Sequence, residues 1–205
     1  PLYDAGELCL LHAAGSPHET RSHFDAQDFM ERAAPGDPFV RDGWLNRYLH
    51  VLGGAESWRG ITIGSAEALS LAGPSPTLAF TSIEEFVLDD AGGRAGAIAA
   101  LYDRSSSEPL RASARAAFDA LGVVAGVDRR SDAIYAPGAF GRALADAAAL
   151  VRADVGVRVI AVDLGGWDHH TDLNSRLGTV GGEDGDGKAV ELDTALKAVR
   201  DDLAN

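Results

Sequence analysis

The chain has 205 residues, 46% hydrophobic and 24% charged, a composition that suits one globular domain with its own core. Lys and Arg total 18 against 31 Asp and Glu, and the formal charge of -13 opposes binding to nucleic-acid backbones or anionic membranes. The single cysteine, Cys9, excludes an internal disulfide, and no apolar run approaches the ~20 residues of a membrane-spanning helix.

In chain order, Leu8–Ala13 (Leu-Cys-Leu-Leu-His-Ala) is a short apolar run of the kind buried in a parallel sheet, which predicts a strand. Gly15 and Pro17 mark a loop, after which Ser22 is placed to cap a helix over His23–Ala33 that Pro35, Gly36 and Pro38 stop. Trp44, Leu45, Tyr48, Leu49 and Leu52 recur at helical spacing and predict a second helix, ended by Gly53 and Gly54. Short strands are expected at Arg59–Gly64 and Pro76–Ser82, with a brief helix at Ala66–Leu71 between them. Asp89–Gly96 reads as a surface turn, and Ala97–Asp103 and the alanine-rich Leu110–Leu121 as helices. The stretch 58–132 is accordingly expected to be a helical insertion on a sheet-based core.

The last third is the most regular. Phe140, Leu144, Ala147, Ala148 and Val151 share one helical face, with Gly156 as the stop. Val157–Leu164 is rich in β-branched residues and predicts a strand, followed by a long polar loop and a final helix marked by Leu192, Ala195, Leu196, Val199 and Leu203. Helix, strand, loop and helix in this order predict a parallel α/β sheet. Both ends read as cuts through a larger fold, so the expectation is a single α/β domain over residues 1–205 that is a fragment of a larger one. Bare sheet edges in such a fragment would favour self-association.

In open parallel sheets, ligands bind beyond the strand carboxyl ends. If Leu8–Ala13 and Val157–Leu164 are parallel strands of one sheet, the loops after them open on the same edge. His12, His18, His23, His169 and His170, five of the six histidines, then gather on one side. Asp163, Asp168 and His170 are the sharpest constellation, since carboxylate and imidazole together suit zinc or a similar divalent ion. The competing reading makes Asp168 a cap and leaves the histidines on a solvated loop. Arg21, Ser22 and His23 at a helix start suit an oxyanion, against the simpler reading of Ser22 as an N-cap and Arg21 as a surface charge. His12, in an apolar run, reads as a core histidine. Glu183, Asp184 and Asp186 lack the spacing of a calcium loop, because Lys188 falls where an oxygen ligand belongs. GxSxG, P-loop, HExxH and GxGxxG motifs are absent, which removes support from the enzyme classes they mark.

Several segments together resemble a bacterial family, domain-of-unknown-function family 1501. They are Arg21-Ser22-His23-Phe24, Ala26–Glu31, Gly43–Leu49, Tyr135-Ala136-Pro137, Val157-Arg158-Val159 and Gly165-Gly166-Trp167-Asp168-His169-His170. That family is similar to sulfatases of the alkaline phosphatase superfamily. The resemblance implies a three-layer α/β/α sandwich, export from the cytoplasm to the periplasm or beyond, and a metal-dependent hydrolase-like protein acting on small anionic phosphate or sulfate esters. It makes Asp168 and His170 metal ligands, with Asp163 as an upstream carboxylate ligand, and Arg21, Ser22 and His23 substrate-side groups. The family's Gly-Gly-Asn-Asp-Gly and Gly-Thr-Asp-His-Gly loops do not occur here, and His169 stands where threonine is more usual. About half a metal site and no identifiable nucleophile are therefore expected, with the chain inactive by itself. The alternative is a non-catalytic binding protein of the cell envelope on the same scaffold.

Overall fold

In the computed structural model of the chain, residues 3–9, 11, 14–86, 88, 94–178 and 187–204 are described. The fold is α/β. Three parallel strands, β1 (Gly60–Ile63), β2 (Leu78–Phe80) and β3 (Val159–Val162), form one sheet in the order β2-β1-β3. Seven helices are described around it: α1 (His23–Arg32), α2 (Trp44–Leu52), α3 (Arg94–Asp103), α4 (Glu108–Ala125), α5 (Ala139–Arg152), α6 (Leu173–Leu177) and α7 (Lys188–Leu203).

β1 is central because both of its faces are covered. Ile61 and Ile63 are fully buried, and Thr62, also buried, accepts the Ala68 amide at 3.1 Å on its hydroxyl. Burying each isoleucine is worth about 1.5–3 kcal/mol. The two isoleucines form one core with Phe80, Ile83, Val124, Val127, Ala143, Ala147 and Leu150. The alanines of α5 bring its backbone close to the sheet.

Close approach also explains Gly141 in the first turn of that helix. A Cβ there would stand 2.0 Å from the Ala136 carbonyl oxygen. Alanine is normally favoured over glycine in a helix by about 1 kcal/mol. Gly141→Ala is expected to reverse that sign and lower the thermal midpoint, as a calorimetric melt would show.

β1 and β2 are linked by residues 64–77, and α2 holds this crossover in place. Asn46 on α2 is fully buried and makes three hydrogen bonds to it. α1 is fastened at both ends. The Ser22 hydroxyl accepts the Asp25 amide as an N-cap. The Arg47 guanidinium donates to the carbonyls of Arg32 and Asp42, which ties the end of α1 to the start of α2.

α7 packs on α5 around a buried carboxylate. Asp202 is 5% exposed, accepts hydrogen bonds from Tyr135 Oη (2.6 Å) and Ser131 Oγ (2.7 Å), and is ion-paired with Arg152. Burial pushes its pKa up, but these three donors outweigh burial and hold it below the ordinary value. Burial and the same carboxylate raise the Tyr135 phenol. A depressed carboxylate pKa adds stability that is complete above the unfolded value of about 3.9 and is lost as pH falls through the folded value. Asp202→Asn is therefore expected to be destabilised at neutral pH. Its deficit should narrow below about pH 4 in a series of urea melts.

Several expectations need correction. The stretch 58–132 is not simply a helical insertion, since it supplies β1 and β2, including the central strand. The parallel neighbour of β3 is β1 rather than Leu8–Ala13. Leu8, Cys9 and Leu11 lie outside any strand and are exposed, while Leu10, His12 and Ala13 fall outside the described residues. The helix before β3 ends at Arg152, ahead of Gly156, and the polar loop after β3 contains the short α6. The turn at 89–93 and the acidic cluster Glu183, Asp184 and Asp186 also lie outside the described residues.

Candidate active-site cleft

From β1 the chain moves to one side for β2 and later to the other side for β3. The β1/β3 boundary is thus a topological switch point, where parallel sheets open a crevice at their carboxyl ends. A cleft of about 570 Å³ lies there, reached by Ile63, Gly64 and Ser65 after β1, Thr81 and Ser82 after β2, and Val162 and Asp163 at the end of β3. The walls come from α1, through Gln27 and Glu31, and from α5, through Phe140, Arg142 and Asp146. Glu31 also accepts the Ser70 amide at 2.9 Å, which fixes α1 against the crossover.

Two arginines reach the cleft, and their roles differ. Arg129 donates through Nε to the buried Asp146 carboxylate at 3.0 Å and lies 3.4 Å from Glu84. Asp146 also accepts the Ile83 amide at 2.9 Å, so its charge is satisfied within the wall. Arg142 is exposed and has no ion pair among the described residues. Of the three cleft hydroxyls, Thr81 donates to Glu85 and Ser82 accepts the Glu85 amide, leaving Ser65 without a hydrogen-bond partner among the described residues.

His23, Gln27 and Glu31 are spaced by four along α1; Gln27 and Glu31 line the cleft, and His23 lies one turn before them, outside its lining. The loop after β3 meets it there. Asp168 Oδ1 is 3.7 Å from His23 Nε2 and 3.0 Å from His170 Nε2. The loop turns at Gly166, whose φ of +87° is strained for any side-chain-bearing residue, and Trp167 Nε1 closes it with a 2.7 Å bond to the Leu164 carbonyl. His169 is half-buried, with its Nε2 enclosed and without a hydrogen-bond partner among the described residues.

A carboxylate beside two imidazoles is a set of side chains that could donate to a divalent metal. Zinc bonds of 2.0–2.2 Å in tetrahedral geometry separate neighbouring donors by about 3.3 Å. The two Asp168-imidazole distances straddle that value. The enclosed His169 nitrogen, costly to leave unpaired, is a further donor in the same loop. The site is not closed: no three His, Cys, Asp or Glu side chains among the described residues converge on a common point.

The sequence-predicted residues thus divide. Asp168, His170 and His23 come together. Asp163 lies in the cleft itself, exposed at the end of β3. Ser22 serves as the α1 cap, and Arg21 is exposed outside the cleft. His18 packs edge-on against Phe29, ring centres 4.8 Å apart, and its Nδ1 accepts the Thr20 amide. Arg142, Asp146, Gln27 and Glu31 were not anticipated. Their signals were an acidic residue on the apolar face of α5 and polar residues spaced by four from His23.

A parallel α/β sheet with a polar crevice at its switch point defines the structural class. The chain belongs to the family described as protein of unknown function (DUF1501), which matches residues 10–205. No curated protein and no solved structure matches it. No helix among the described residues is long and apolar enough to cross a membrane.

Proposed function

We propose that the chain belongs to an exported, metal-dependent hydrolase-like protein for small phosphate or sulfate esters, on an α/β/α sandwich of the alkaline-phosphatase and sulfatase type. The observation that carries this reading is the Asp168 carboxylate, on the loop after β3, between His23 and His170. Asp168 and His170 supply oxygen and nitrogen donors for a divalent ion, zinc by their chemistry, with Asp163 as a further carboxylate. When bound, such an ion would polarise an ester oxygen and stabilise the negative charge that develops on the oxygens around phosphorus or sulfur.

The remaining residues bind and orient. Arg142, free of any ion pair among the described residues, holds the non-bridging oxygens of the ester. Arg129 is already committed to Asp146. His23, the more distant imidazole, takes the proton of the attacking water. The water oxygen bonds to phosphorus or sulfur, the bond to the ester oxygen breaks, and that oxygen leaves as an alcohol with the proton that His23 took from the water.

One observation favours a second reading, a non-catalytic binding protein of the cell envelope. The side chains of His23, Asp168 and His170 are 77, 61 and 78% exposed, whereas electrostatic catalysis gains from excluding water. Zinc-dependent hydrolysis of 4-nitrophenyl phosphate and sulfate separates the readings, measured for this chain and for a longer one carrying the two family loops. Turnover by the longer chain that is lost in Asp168→Ala supports the hydrolase. Zinc binding with no turnover of either ester supports the binding protein.

A further inference from the structure

A second cleft, of about 740 Å³, opens at the opposite, amino-terminal edge of the sheet. Arg59 and Arg158 immediately precede β1 and β3. The strands pair Gly60 with Val159, and the Arg158 amide donates to the Arg59 carbonyl at 2.8 Å, so the two arginines occupy adjacent positions across the sheet. Both line this cleft, together with Tyr48, Leu52, Trp58 and Glu56.

Like charges at neighbouring cross-strand positions are unfavourable, and a buried charge is costly unless it is paired. Arg59 is 9% exposed, yet the one hydrogen bond of its side chain among the described residues, from Nη2 to the Leu49 carbonyl at 3.3 Å, is to a neutral group. Neither arginine has an ion pair among the described residues. Glu56 is the one acid in the lining, and its carboxylate accepts the Ala55 amide. In a chain of net charge -13, this leaves a local excess of positive charge facing an open cleft.

We infer that this cleft binds a small organic oxyanion. Its phosphate, sulfonate or carboxylate head lies between the Arg59 and Arg158 guanidinium groups, and its apolar part rests against Tyr48, Trp58 and Leu52. The volume is within the range of small-molecule sites, and planar forks are suited to such heads. The site is separate from the strand-end cleft and does not depend on the function proposed for it.

The test is calorimetric titration with phenylphosphonate, whose carbon-phosphorus bond resists hydrolysis. Expected is one site in Arg142→Ala, in which the strand-end cleft has lost the arginine proposed to hold an ester's oxygens, so that the remaining site is the one between Arg59 and Arg158. Affinity should fall about tenfold or more in Arg158→Ala, where an exposed side chain is removed, with the circular dichroism melt unchanged. Arg59→Lys keeps the charge and the contact with the end of α2 but loses the fork, and should also weaken binding. No binding to the parent chain, unchanged binding in Arg158→Ala, or loss of binding in Arg142→Ala would each overturn the inference.

Discussion

Asn46→Ala is expected to bring the chain close to unfolding. The Asn46 amide donates to the Leu71 and Ser75 carbonyls at 2.7 and 2.9 Å, and its oxygen accepts the Ser75 amide at 3.0 Å. Asn46 is fully enclosed and Ser75 nearly so, so water cannot replace the lost side chain. Each backbone group left without a partner costs about 1–3 kcal/mol, and three together come to roughly 3–9 kcal/mol. That is a large share of the 5–15 kcal/mol typical of a domain. For a chain of this size the melting temperature should drop by roughly 10 °C or more. Ser75→Ala is the contrast. It removes only the long 3.4 Å bond from Ser75 Oγ to the Asn46 carbonyl and should cost less than about 1 kcal/mol. Equal melting temperatures for Asn46→Ala and Ser75→Ala would show that the side-chain clamp on the crossover does not hold the fold.

The second large effect concerns metal. Half a site binds zinc with modest affinity, because tetrahedral closure takes about four ligands. Zinc is expected to titrate into the chain, and the combined substitution Asp168→Ala and His170→Ala to abolish the signal. The two side chains are well exposed and their contact adds little to stability, so the double variant should melt with the parent. Unchanged zinc binding in it would remove Asp168 and His170 from the metal assignment.

Much of the strand-end site was legible from local signals. Ser22 before an amphipathic stretch announced the start of α1, and the β-branched run before Gly165 announced β3. The expected gathering of His23 with the loop after β3 rested on a strand at Leu8–Ala13; His23 and Asp168 are 3.7 Å apart although Leu8, Cys9 and Leu11 lie outside any strand. The expected partner strand at Leu8–Ala13 was a different matter. An apolar run alone does not distinguish a strand from an exposed segment, and Cys9 and Leu11 are exposed. The central place of β1 was also hidden, because four residues give almost no periodicity. The cleft wall depends on tertiary contacts that no local pattern encodes. Arg129 and Asp146 meet across seventeen positions, and Ile83 reaches Asp146 across 63. Asp146 did leave one trace, a carboxylate among the alanines that α5 buries, which in a helix of this kind marks an internal ion pair or a site.

X-ray absorption at the zinc edge tests the metal assignment most directly. With one equivalent of zinc, the account predicts a first shell of oxygen and nitrogen at about 2.0–2.2 Å, with imidazole scattering that disappears in Asp168→Ala combined with His170→Ala. A sulfur shell at about 2.3 Å, which only Cys9 or Met30 could supply, or imidazole scattering that survives the double substitution, would contradict it.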